Sequence, residues 1–304
     1  MAEGKPNVMR QGAYLLWRRQ RVLWWLYGVN LFLGLIGTLP MANNVGAVLN
    51  HSLAAPHLGK GFDLSFFAEL AAQPSHPLSA GAPPSILLAM AFFVLWLLFE
   101  GGILETYRRD SRLTTSELLE ACGRMFWRFV RLFISMLFVL VPVVIAARGV
   151  KRWSDKLATD SPHALMGFWV EAAGLLVLVL LLMAVRLWFD LAQVRAVAEN
   201  ERVMGRALVR ALRLTSANFT TLFGIYMRTS LIAWAFSAAA LWAWIKLVQP
   251  EWIRVSFFLG QVVLLVWLGT RLWQRASEMV WYQKHRPAPP PPWESWFASR
   301  APTD

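Results

Sequence analysis

The sequence predicts an all-α, polytopic membrane protein: six transmembrane helices, with cytoplasmic interfacial amphipathic helices before spans one, three and five. Three observations predict it. Apolar residues make up 57% of the 304, above the roughly 45–50% usual in soluble domains. They fall in long blocks, matching the roughly 20 helical residues that cross an apolar layer of about 30 Å. Basic residues collect in alternate connections between these blocks, as the positive-inside rule requires.

In chain order, Lys5, Arg10, Arg18, Arg19 and Arg21 precede a first span at about 22–39, which Pro40 is expected to end. This block is longer than the roughly 7–15 apolar residues of a signal peptide, so it reads as a retained helix. Gln11 to Arg21 is predicted to form a short interfacial helix ahead of it. Residues 41–84 read as a polar outside loop in which Lys60 is the single lysine. Phe66, Phe67 and Leu70 are expected to dock a short helix on the surface there. His51, His57 and His76 lack the i, i+4 spacing of helical metal ligands, and no metal or other cofactor is expected.

The second span, about 85–104, carries Glu100 a turn from its end. Leu118, Cys122, Met125 and Phe129 then recur at helical spacing, with Glu117, Glu120, Arg124, Arg128 and Arg131 opposite. That pattern predicts an amphipathic helix in the interface, turning into a third span at about 132–147. Arg148, Lys151, Arg152 and Lys156 follow on the outer side, a local breach of the charge rule. The fourth span, about 165–189, has Glu171 near its outer end and Arg186 with Asp190 near its inner end. Arg202, Arg206, Arg210 and Arg213 then fall within about 80° of one another on a helix, with Ala207, Leu208 and Ala211 facing away. The fifth and sixth spans are placed at about 225–247 and 253–272. Residues 1–284 thus form one membrane domain, and 285–304 a disordered proline-rich tail whose Pro287–Pro292 run suits polyproline II.

Of the 30 lysines and arginines, 23 lie in the N-terminus, 105–131, 186–228 and 271–304, against 7 elsewhere. Both termini are therefore placed in the cytoplasm. Trp24, Trp25, Trp153, Trp188, Trp252 and Trp273 fall at span ends, as interfacial anchors do. The net charge of +12 is accounted for by anionic lipid and topology, not by nucleic acid.

The chain also repeats. Phe99–Phe133 lies over Phe189–Phe223 without a gap at an offset of 90, and seven of the 35 pairs are identical: Phe99/Phe189, Arg112/Arg202, Leu118/Leu208, Ala121/Ala211, Phe129/Phe219, Leu132/Leu222 and Phe133/Phe223. Glu100/Asp190 keeps an acid. The repeating unit reads as a membrane hairpin joined by a cytoplasmic helix.

No catalytic signature is present: no nucleophile elbow, P-loop or zinc-protease helix. The intramembrane charges Glu100, Asp190 and Arg228 are the sharper candidates. Arg228 snorkels to the interface, pairs with Asp190 or Glu100 in a buried ion pair, or serves a substrate or proton; the sequence leaves all three open. Asn30 and Gln261, mid-span, suit helix–helix hydrogen bonds.

An acid at a span end, then a polar helix with Ala207, Leu208, Ala211 and Leu212, then Asn218-Phe219 entering the next span, resembles a broad group. It is similar to the six-helix membrane domain attached to some bacterial glycerophosphodiester phosphodiesterases and to related uncharacterised inner-membrane proteins, over about residues 8–280. The resemblance implies an α-helical inner-membrane protein in an accessory role. No soluble phosphodiesterase domain accompanies it here, so the enzymatic activity is not carried over. The expectation is a non-enzymatic, multi-pass scaffold or accessory protein of the bacterial inner membrane. It would organise anionic lipids through Arg202, Arg206, Arg210 and Arg213, or a protein partner through the interfacial helices or the Pro287–Pro292 tail. A small transporter or channel using Arg228, Asp190 and Glu100 is the alternative.

Overall fold

The computed structural model describes residues 7–49, 82–109, 113–160, 164–249 and 252–285, and every regular element among them is an α-helix. These are α1 (Val8–Arg18), α2 (Arg21–Leu49), α3 (Ala82–Arg108), α4 (Thr115–Asp160), α5 (Ala164–Ala198), α6 (Met204–Ala217), α7 (Phe219–Leu247) and α8 (Ile253–His285). Six of them, α2, α3, α4, α5, α7 and α8, are long and apolar enough to cross a membrane. Each contains one predicted span. The histidines and the Phe66–Phe67–Leu70 group predicted for the loop, Arg112, and the tail beyond His285 lie outside the described residues.

The helices overrun the predicted spans. Pro40 does not end the first, because α2 continues past it to Leu49. A proline removes one backbone bond, and spanning helices re-satisfy that loss locally; α4 likewise carries Pro142 in its interior. The amphipathic stretches ahead of spans one, three and five are all helical, in two different forms. Ahead of the first, α1 is a separate helix: the Asn7 side chain accepts from Met9 N at 3.2 Å, and the helix stops before Arg19. Ahead of the fifth, α6 is separate, and Asn218 breaks it from α7 by turning its amide onto Leu214 O at 3.2 Å.

Ahead of the third, the predicted interfacial helix is the leading part of α4, a 46-residue helix about 69 Å long at 1.5 Å per residue. A capping box starts it: Thr114 N donates to Glu117 Oε2 at 2.7 Å, and Glu117 N donates to Thr114 Oγ1 at 3.3 Å. In the repeat, Arg128 stands where Asn218 does. Arginine has none of asparagine's tendency to compete for its own backbone, so nothing interrupts the helix there.

The hydrophobic core sits at one end of the bundle. Leu104, Phe129, Leu132, Leu187, Leu191, Leu222, Leu272, Met279, Trp281 and Tyr282 are nearly inaccessible. Along the middles of the same helices, Leu137, Phe138, Val141, Leu175, Leu176, Val177, Leu231 and Trp234 are exposed. The contrast has a solvent reason. Lipid tails are as apolar as leucine, so burial is not driven within a bilayer and is driven where the helices emerge from it. The exposed belt marks the spanning zone; the buried end is a helical head beyond it.

Three helices, α3, α5 and α8, run into this head, and each packs against an amphipathic segment: α3 on the start of α4, α5 on α6, and α8 on α1. The last pair joins the two ends of the described chain. Trp273 Nε1 donates to Met9 O at 2.8 Å. The pairs come very close. A Cβ built on Gly12 would stand 2.8 Å from Ser277 N, and one on Gly102 would stand 2.5 Å from Cys122 Sγ.

Candidate functional site

The head is organised on Arg275, only 2% exposed. Its helix, α8, aims it between the inner ends of α3 and α5. Nε lies 2.5 Å from Glu100 Oε1 on α3, and Nη2 lies 2.9 Å from Asp190 Oδ1 on α5. The approach to Glu100 is off the line of a hydrogen bond, so it is a charge contact rather than a directed bond. Nη2 also donates to Gln193 Oε1 at 2.5 Å, and Nη1 donates to Glu278 Oε2 at 3.3 Å. Arg271, one turn before, forks onto Asp190 with contacts of 3.0 and 3.3 Å. Gln274 donates to Asp190 at 3.3 Å and to Glu278 at 2.7 Å.

Three carboxylates and two guanidiniums are thus closed on one another with two amides, almost without solvent. Charges taken from water are stable only when paired and hydrogen-bonded in this way. Glu100, Asp190, Gln274, Arg275 and Glu278 are all buried. The cluster is a structural rivet through three helices. Among the described residues no group of three or more histidine, cysteine or acidic side chains is arranged to hold a metal ion.

Two further polar nodes lie in the head. Glu105, buried at the end of α3, accepts from Arg108 at 2.6 and 2.7 Å and from Arg109 at 2.7 Å. Glu199 accepts from Arg195 at 2.7 Å and from the Tyr282 hydroxyl at 2.5 Å. Between α5 and α6, Asn200 takes a left-handed conformation, φ 50. Glu201 N bonds Ala196 O, and Asn200 N bonds Val197 O. This is a Schellman turn, and Arg128 of α4 clamps it by donating to Asn200 Oδ1 at 2.8 Å.

Of the predicted charge cluster, Glu100 and Asp190 come together, and Arg228 does not join them. Arg228 is exposed on α7 and forms no ion pair with a described residue. The acids' partners are Arg275 and Arg271. The physical reason is reach: α8 lies against both α3 and α5 at the head, whereas Arg228 is on the outer side of its own helix. The sequence reading does not single out Arg271, Arg275 and Glu278: Arg271 falls at the very end of the predicted sixth span, and Arg275 and Glu278 fall between that span and the tail, where charge is ordinary. The spacing Arg271, Arg275, Glu278 on one helical face was the available signal.

Of the predicted stripe, Arg206, Arg210 and Arg213 are exposed on α6, whereas Arg202, also exposed, lies in the turn ahead of the helix, because α6 starts only at Met204. Arg210 reaches Glu201 at 3.9 Å. Arg202, Arg206 and Arg213 form no ion pair with a described residue. The face opposite them meets protein: Met204, Ala207, Ala211 and Thr215 are buried against α5. The small alanines let the helix backbone approach closely, and Trp188 Nε1 fixes it by donating to Leu208 O at 2.9 Å. Val209 and Leu212, to one side of the stripe, stay exposed.

No protein-family model matches the chain, and no curated protein or solved structure is detectably similar to it.

Two side chains of α5 hold the segment that leads into α7: Trp188 meets Leu208, and Arg186 stands over the Tyr226 ring at 5.9 Å. Of the mid-span amides, Gln261 accepts a helix–helix bond from the Tyr27 hydroxyl at 3.2 Å, and Asn30 bonds its own helix at Leu26 O.

Proposed function

We propose that the chain is a non-enzymatic scaffold or accessory protein of the bacterial inner membrane, with its helical head on the cytoplasmic side. It holds anionic lipid headgroups, or a partner complex, along the arginine face of α6. The supporting observation is that face: a helix docked on protein through its alanines, with Arg206 and Arg213 on it, and Arg202 in the turn ahead of it, exposed and in no ion pair with a described residue. Basic side chains near an anionic leaflet contribute about 1 kcal/mol each. The orientation rests on the 23 to 7 division of basic residues.

The test replaces Arg202, Arg206, Arg210 and Arg213 together by glutamine. The protein should melt unchanged, because none of the four faces the core, while co-purifying anionic lipid or partner falls. Unchanged lipid and partners with altered solute flux would overturn the reading in favour of transport.

A further inference from the structure

A second membrane-facing feature lies between α2 and α3. A cavity of about 780 Å³ opens there, lined by Trp24, Trp25, Gly28, Phe32, Leu95 and Phe99 among others. Its size is within the roughly 300–1,000 Å³ of ligand pockets. The walls are apolar and lie in the exposed belt: Trp24, Trp25 and Phe32 are each more than half exposed. At its head-side end stands Arg21, which with Trp25 and Thr115 also lines a second, smaller cavity of about 140 Å³. That second space is bounded by Arg18, Arg19 and Thr114 as well, with no acidic side chain among the described residues of its lining. Arg18 and Arg21 are exposed and form no ion pair with a described residue.

The two spaces make one amphipathic crevice, apolar toward the belt and cationic at its mouth. We infer that it binds a single membrane phospholipid with an acidic headgroup, acyl chains along Gly28, Phe32 and Leu95, phosphate between Arg18 and Arg21. Charge complementarity selects this occupant. A neutral helix of a partner would leave the arginines unanswered, and a water-soluble anion would leave the apolar length empty. The crevice shares no residue with α6, so this inference and the stripe stand or fall separately.

Gly28 supplies the test, because a Cβ built on it meets nothing within 4 Å. Gly28→Leu should fill the groove without displacing the fold. Full-length protein would be placed in phosphatidylcholine nanodiscs doped with phosphatidylglycerol bearing a diazirine in its acyl chain. After photolysis, cross-links should map to α2 around Gly28 and to α3 around Leu95. Gly28→Leu should remove them while labelling of α5 and α7 stays constant. Arg18→Gln with Arg21→Gln should weaken competition by unlabelled phosphatidylglycerol about 30-fold, roughly a factor of five for each guanidinium. Both arginines are exposed, so this variant remains informative if Gly28→Leu fails to fold. The proposal is overturned if the crevice labels no more than the rest of the belt, if diazirine-phosphatidylcholine labels it equally well, or if the cross-links survive both variants.

Discussion

Glu100 and Asp190, ninety residues apart in the sequence, converge on one guanidinium. The same offset relates the two copies of the internal repeat, and burial follows it. Ala121 and Ala211 are both buried, as are Leu132 and Leu222, while Leu119 and Val209 are both exposed. The copies part at Phe129 and Phe219, buried in the continuous α4 and exposed beside the Asn218 break. The third helix entering the head, α8, answers the two acids with Arg275. Two like units are thus joined by an opposite charge from a third.

Arg275→Met should be among the most damaging single changes in the chain. It leaves Glu100, Asp190 and Glu278 buried around an uncompensated site, a loss of about 3–5 kcal/mol. Arg228→Met, on an exposed face, should stay within about 0.5 kcal/mol of the parent. Unfolding midpoints of the two variants in one detergent compare them directly. A large loss for Arg228→Met with a small one for Arg275→Met would mean that Arg228, not Arg275, holds the acids in solution.

Glycines separate in the same assay. Gly12→Ala drives a Cβ against the backbone of Ser277, an overpacking that costs about 1–3 kcal/mol. Gly123→Ala meets nothing within 4 Å on an exposed helical face and should gain about 0.4–1 kcal/mol through the unfolded chain. A stabilised Gly12→Ala would mean that α1 does not seat on α8.

The α5–α6 turn depends on a left-handed residue. Asn200→Val places a β-branched side chain at φ 50 and should cost about 1–2 kcal/mol or more. Asn200→Gly keeps the conformation and loses only the Arg128 clamp, so it should cost less. Hydrogen exchange at Glu201 N, which closes the turn on Ala196 O, should speed up in the valine variant and change little in the glycine one. The reverse ranking would refute the cap.

Orientation is open to cysteine labelling in a Cys122→Ala background. Ser216→Cys and Arg152→Cys lie on exposed faces at opposite ends of the bundle. Ser216→Cys should react only after the inner face is opened, and Arg152→Cys from outside in intact cells. Reactivity of both from one side would refute the six-span crossing.

The sequence by itself determined the class, the six spans and the exposed face of α6 that carries Arg206, Arg210 and Arg213. All three are local properties: block length against bilayer thickness, and the 100° advance of a helix. Glu100 and Asp190 were legible as acids at span ends, because charge near hydrocarbon is rare enough to stand out. Their partner was not. Pairing depends on which helix lies beside which, and α8 reaches both acids only because it runs on past the bilayer into the head. Whether an amphipathic stretch becomes its own helix was decided locally, by asparagine at 218 where the repeat has arginine at 128. The alanine face of α6 was taken by α5, since a stripe of small residues serves close helix packing as readily as it serves a membrane. Periodicity tells which residues share a face; only tertiary packing tells what that face meets.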